Sequence, residues 1–190
     1  MANVSTRSVI IPSDRMPAGA IHSLRMSAIE QVEEVAARAM GQGTTLTTRD
    51  LQPEDIGYTN QEFTETSGTD NSWTDTDISS KSIADETFLV IWGVQMLIPG
   101  TVQLPISAIR FVIGGGRVAQ LSLYGMQQPH SPDAAEAGIF RPITGMFLSP
   151  IVITQNSVLT IQEYNVIAST AYQMVFEGVA VEREGRLISP

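Results

Sequence analysis

Cysteine is absent from this 190-residue chain. With it go disulfides, thiolate nucleophiles and cysteine-held metal sites, so redox compartment leaves no mark on the sequence. Lysine occurs once, at Lys81, and 11 basic residues stand against 20 acidic ones, a net charge of −9. Duplex DNA or RNA is therefore not an expected partner, because neutralising phosphates takes clustered Lys and Arg. Charge of either sign is scarce, at 16% of residues, where about a quarter is usual. Thr, Ser, Gln and Asn do the solvating instead, a habit commoner in β proteins and assembly subunits than in helical enzymes. No uninterrupted apolar stretch approaches the roughly 18–20 residues that span a bilayer. The opening "MANVSTRSVIIPSDRMPAG" lacks the apolar core of a signal peptide. Neither a membrane nor a leader is expected.

What is present is unevenly divided. Residues 1–85 hold thirteen acids and six bases, a net of −7, whereas residues 86–190 hold seven and five, a net of −2. The apolar content allows a sizeable core. The pattern predicts a polar N-terminal arm over 1–85 and a core-building domain over 86–190. Within the arm, "SAIEQVEEVAARAM" predicts a helix over 27–40. Ser27 and Glu30 fit a capping box, and Gly41 and Gly43 close it. Ile29, Val32, Val35 and Ala36 recur on one stripe, with Met40 or Ala39 continuing it. A lone helix of this length is marginal in water, so the stripe must dock on the second half, on a copy, or on another protein. Residues 10–26 read as an extended arm.

The connector over 44–82 is Thr-, Asp- and Ser-rich and too long for an ordinary loop. Its widely spaced apolar residues, among them Leu51, Ile56, Tyr58, Phe63 and Trp73, are expected to act as pegs along a surface. From residue 86 the pattern is β: runs at 86–99, 106–114, 117–125, 138–150, 151–166 and 171–184 are separated by Gly, Pro, Asn and Asp signals. A β-sandwich or barrel is expected.

Gly114, Gly115 and Gly116 raise the question of a phosphate loop. No Gly-Lys-Ser/Thr follows, the dinucleotide spacing is absent, and the next run is too short for a crossover helix. A hairpin turn is expected, with glycine supplying positive φ. His130, Ser131 and Asp133 lie too close along the chain to make a triad, and read as a polar loop. "TDNSWTDTD" (69–77) offers Asp70, Asn71, Asp75 and Asp77 as hard oxygens but lacks the EF-hand glycine and terminal Glu. It reads as a solvated acidic strip. Among the carboxylates of the second half, Glu163 is expected to alternate outward, and Glu182 and Glu184 to lie on a salt-laced surface strand with Arg183 and Arg186. No catalytic residue, cofactor or metal is expected. The rival to a purely structural role is a sugar platform built on Trp92, Tyr124 or Tyr164, with Trp92 equally readable as a core residue.

The β half, in its "F…SPIVITQNSVLTI" run and its "FEGVAVEREG" closing strand, together with the arm-and-linker N-terminus, resembles the jelly-roll head-decoration (cement) proteins of tailed bacteriophages. The resemblance covers about residues 86–190. It implies a mainly β fold, a jelly-roll-type antiparallel β-sandwich preceded by an extended arm with one α-helix. It also implies a homo-oligomer, most often a trimer, on the outer surface of a virion, gripping the major capsid protein. On that expectation the partner-binding residues are Ile29, Val32 and Val35 on the helix, with Leu51, Ile56, Tyr58, Phe63 and Trp73 along the connector. The alternative expectation is a glycan- or receptor-binding module of a phage head or tail fibre.

Overall fold

A computed structural model describes residues 5–8, 10–41, 43–58, 64–76, 78, 80–97, 105–123 and 144–185. Six long strands come from the second half: β7 (Thr87–Leu97), β8 (Ile106–Ile113), β9 (Arg117–Ser122), β10 (Thr144–Ile153), β11 (Val158–Asn165) and β12 (Ala171–Arg183). Six short ones come from the first: β1 (Ser5–Ser8), β2 (Ile10–Pro12), β3 (Leu46–Asp50), β4 (Thr64–Thr66), β5 (Trp73–Asp75) and β6 (Lys81–Ser82). Between them lie a long helix, α1 (Ala18–Met40), and a single turn, α2 (Pro53–Ile56).

The strands form two sheets. One runs β1-β9-β8-β11-β5, with β6 also on β11; the other runs β2-β10-β7-β12-β3, with β4 also on β12. The antiparallel pairs are nested: β3 and β4 with β12, β5 and β6 with β11, β7 with β10, β8 with β9. One long antiparallel ribbon folded around itself gives that order, which is the jelly roll. Its outermost ribbon strand is split into β3 and β4 and the next into β5 and β6. β1, the one parallel partner, and β2 extend the two edges beside β9 and β10.

Strand alternation sorts the side chains into layers. Leu89, Ile91, Phe111, Ile161, Phe147, Tyr172, Met174 and Phe176 fill the space between the sheets. Phe88, Val90, Met146, Val152, Val179 and Val181, their neighbours on the opposite face of the second sheet, pack under α1. The molecule is thus helix, sheet, sheet. Trp92 is the extra residue of a bulge, since Glu177 opposes Gly93 while Gly178 opposes Ile91. Beyond it the inward positions of β7 shift from Ile91 to Val94. Gly178 makes this bulge possible: a Cβ there would stand 2.1 Å from the Val90 carbonyl oxygen. β10 breaks register at the same level, between Met146 and Ile151. Pro150, which has no N–H to donate, sits in that break.

The three glycines turn the chain, as expected. Ile113 pairs with Arg117 across them, and Gly114 and Gly115 have φ of 59° and 74°. Three other expectations need correction. The helix begins at Ala18 rather than residue 27, so 18–26 is not extended. Pro17 starts it with a preset φ, and Met16, Ile21 and Leu24 carry the stripe back to that point. The boundary between the runs at 138–150 and 151–166 moves: residues 151–153 finish β10, and the reversal falls at 154–157, where Asn156 takes a φ of 59°. Finally, the fold does not divide at residue 85, because residues before it supply strands to both sheets and the layer above one of them.

Candidate functional site

The residues expected to grip a partner mostly face the chain's own interior. Val32 is fully buried on α1, and Ile29 and Val35 flank it against the sheet. Ile56 and Tyr58 enter the core between the sheets, with Leu51 packed at its margin. The Tyr58 hydroxyl donates to the Met174 carbonyl oxygen at 2.5 Å. These pegs are used intramolecularly. The surface they needed was the other half of the same ribbon. Phe63 lies outside the described residues. Trp73 alone of the set reaches an outer sheet face.

At one end of the core stands a polar node. Leu159 and Ile161 face inward, and the same period carries Glu163 and Asn165 inward, with Glu163 only 1% exposed. The outward placement expected for Glu163 is therefore corrected. The Tyr172 hydroxyl donates to Glu163 Oε2, and the Gly68 N–H donates to Glu163 Oε1 at 3.1 Å and to Asn165 Oδ1 at 2.9 Å. Asn165 Nδ2 donates to Thr74 Oγ1 at 2.7 Å. Glu65, fully buried, is the cross-strand neighbour of Tyr172. Burial holds the Tyr172 phenol well above its usual range, and the adjacent Glu163 adds to the shift. The node clamps the segment that carries the chain from β4 in one sheet to β5 in the other. Its groups are enclosed between the sheets, so it does not present a reacting atom to a substrate.

The outer face of the β5-β11-β8-β9 sheet has no helix over it among the described residues. Register places Trp73, Tyr164, Ala108 and Ser122 in one row, and Asp75, Gln162, Arg110 and Gln120 in the next. All but Ala108 keep some exposure. The Arg110 guanidinium carbon lies 4.3 Å from the centroid of the Trp73 ring, and Tyr164 meets that ring edge-on at 5.5 Å. Arg110 Nε donates to Gln162 Oε1, and Gln162 Nε2 donates to Asp75 Oδ1, each at 2.6 Å. Five cross-strand side chains thereby fix one another on this face.

The opposite outer face carries a different polar group. Arg25 of α1 meets Glu177 at 2.6 Å, and Glu177 Oε1 also accepts from Gln95 and Thr144. This cluster ties the helix to the sheet. Arg49 does the same for β3, holding Asp55 through two N–H groups and Glu182 through a third contact at 3.1 Å. Glu182 is salt-linked as expected but buried rather than on the surface; Glu184 is exposed and Arg183 pairs with Glu86 at 2.8 Å.

The remaining sequence candidates disperse. Trp92 is buried beneath α1 and offers no platform. His22 is exposed on α1, while Tyr124, His130, Ser131 and Asp133 fall outside the described residues. Asp70, Asn71 and Asp75 are exposed, and Asp77 is not described. Among the described residues no group of three or more His, Cys, Asp or Glu could hold a metal ion, and no helix is long and apolar enough to cross a membrane. No protein-family model and no curated protein matches the sequence.

Proposed function

We propose that this protein is a non-catalytic structural subunit of a virus particle, a decoration protein that reinforces a phage head by contacts with the major capsid protein. The observation that carries the reading is the complete jelly-roll strand order, completed by strands from the chain's own N-terminal half. Viral capsid subunits and lectin-like modules both use this architecture, and fold alone does not choose a function. The resemblance of the closing strands to head-decoration proteins is what favours the capsid reading. On this reading the subunit is a homotrimer on the outer virion surface.

Attachment must use groups that the fold leaves outside, since Leu51, Ile56 and Tyr58 are consumed within it. Leu148 in the β10 break, Val158 on β11 and Met26 on α1 are 48%, 47% and 42% exposed, and among the described residues they are the large apolar side chains available for shell contact. The test is co-sedimentation of the purified full chain with phage heads stripped of decoration, alongside light scattering of the free protein. Saturable binding that raises the temperature of head disruption, by a species of three chains, is expected. Heads that neither bind the protein nor gain stability from it would refute the proposal.

A further inference from the structure

We infer that the outer face of the β5-β11-β8-β9 sheet is a binding site for an uncharged oligosaccharide. The site is the Trp73–Tyr164 aromatic pair together with the transverse row Gln120, Arg110, Gln162 and Asp75. This goes beyond the structural role proposed above and does not depend on it.

Charge decides the class of ligand. The chain carries a net −9, yet on these four strands the two rows hold two charged residues, Arg110 and Asp75, of opposite sign on either side of Gln162, with Arg7 of β1 next in register beyond Gln120. A polyanion meets Arg110 here with Asp75 in the same row, and an acidic protein around it. A basic peptide has one acid, already engaged by an amide. A neutral polyol is complementary to such a face, because alternating donors and acceptors meet hydroxyl pairs without moving net charge.

Geometry decides the length. The four row positions sit on four adjacent strands about 4.8 Å apart, so the row spans about 14 Å, which suits a short oligosaccharide laid across the strands. Arg110 has five N–H groups, of which one is engaged by Gln162. Gln162 places one N–H on one oxygen of Asp75. The remaining guanidinium N–H groups and the second Asp75 oxygen have no side-chain partner among the described residues. The internal bonds pre-order the row, so little rotamer freedom is lost on binding. The aromatic pair, held by Arg110 from one side, borders the row and supplies apolar surface for the C–H face of a sugar ring.

The experiment is a printed array of neutral hexose and N-acetylhexosamine oligosaccharides beside sialylated and sulfated ones, probed with the labelled full chain. Solution titration of the strongest neutral binder follows, with wild type, Trp73→Ala, Gln162→Ala and Gln120→Ala. Retention of neutral oligosaccharides is expected, weakened about tenfold or more by Trp73→Ala and by Gln162→Ala, with unchanged circular dichroism. Should Trp73→Ala fail to fold, the two glutamine variants decide. The inference is overturned if no neutral oligosaccharide binds, if only acidic ones do, or if the folded variants bind like wild type. It is equally overturned if Trp73→Ala or Gln162→Ala dissociates an oligomer of this chain, since the face then belongs to a second copy.

Discussion

The two outer faces of the sandwich are made by the same alternation of strand residues, yet one is closed and the other open. Beneath α1 the outward positions are Phe88, Val90, Met146, Val152, Val179 and Val181, and the helix answers them with Ala28, Val32 and Ala36. On the other sheet the outward positions include Thr160, Gln162, Tyr164, Arg110 and Gln120 beside Val112 and Val158, with Arg110 bonded across the strands to Gln162. Exposed to water, the first face would be an aggregation surface; the second is already solvated. The long helix is therefore explained by the sheet it covers, and a marginal helix becomes stable by lying there. The contrast also bears on recognition: the polar, aromatic face, with no helix over it among the described residues, is the one proposed above to take a ligand.

The largest expected effect comes from breaking the closed face. Phe88→Ala leaves a cavity between sheet and helix and should lower stability by about 3–5 kcal/mol, measured by urea unfolding. Tyr172→Phe tests the core node between the faces. It leaves the Glu163 carboxyl with one donor fewer and should lower stability by about 1–3 kcal/mol. It also has a pH signature. The folded-state pKa of Tyr172 is raised, so its contribution is fully present below the ordinary tyrosine value near 10 and is lost as pH rises above it. Wild type should lose stability faster than Tyr172→Phe above about pH 10.

Arg25→Ala removes the ion pair that ties the helix down. The pair is half in solvent, at 43% and 22% exposure, and Glu177 keeps Gln95 and Thr144 as donors. A loss of no more than about 1 kcal/mol is expected, shrinking in salt. Smallest of all is Arg110→Ala on the open face, within about 0.5 kcal/mol of wild type. A loss there as large as that of Phe88→Ala would erase the distinction between the faces.

The long β runs, the three-glycine hairpin and the core of α1 were legible because each is long and carries its period plainly. β3 to β6 were not. A five-residue strand such as "LTTRD" at a sheet edge has its outward side in water and borrows its register from β12, so no local pattern announces it. The first turns of α1 were hidden by Gly19, His22 and Ser23, weak helix formers, although Ile21 and Leu24 already keep the spacing. Glu163 could have been placed. Leu159 and Ile161 set a period of two that points it inward and Tyr164 outward, but its charge argued for solvent. The Trp73–Tyr164–Arg110 cluster was beyond reach, since it joins residues about ninety positions apart through a pairing that only the fold supplies.

The central claim is that the N-terminal segment through β6 is part of the jelly roll rather than an appendage to it. Hydrogen exchange of the full chain, followed by mass spectrometry across a low-urea series, tests this directly. Segments covering α1 and β3 should lose protection in the same cooperative step as β7 and β12. If α1 and β3 exchange freely while β7 to β12 stay protected, the chain is a self-sufficient sandwich with a detachable arm, and this account is contradicted.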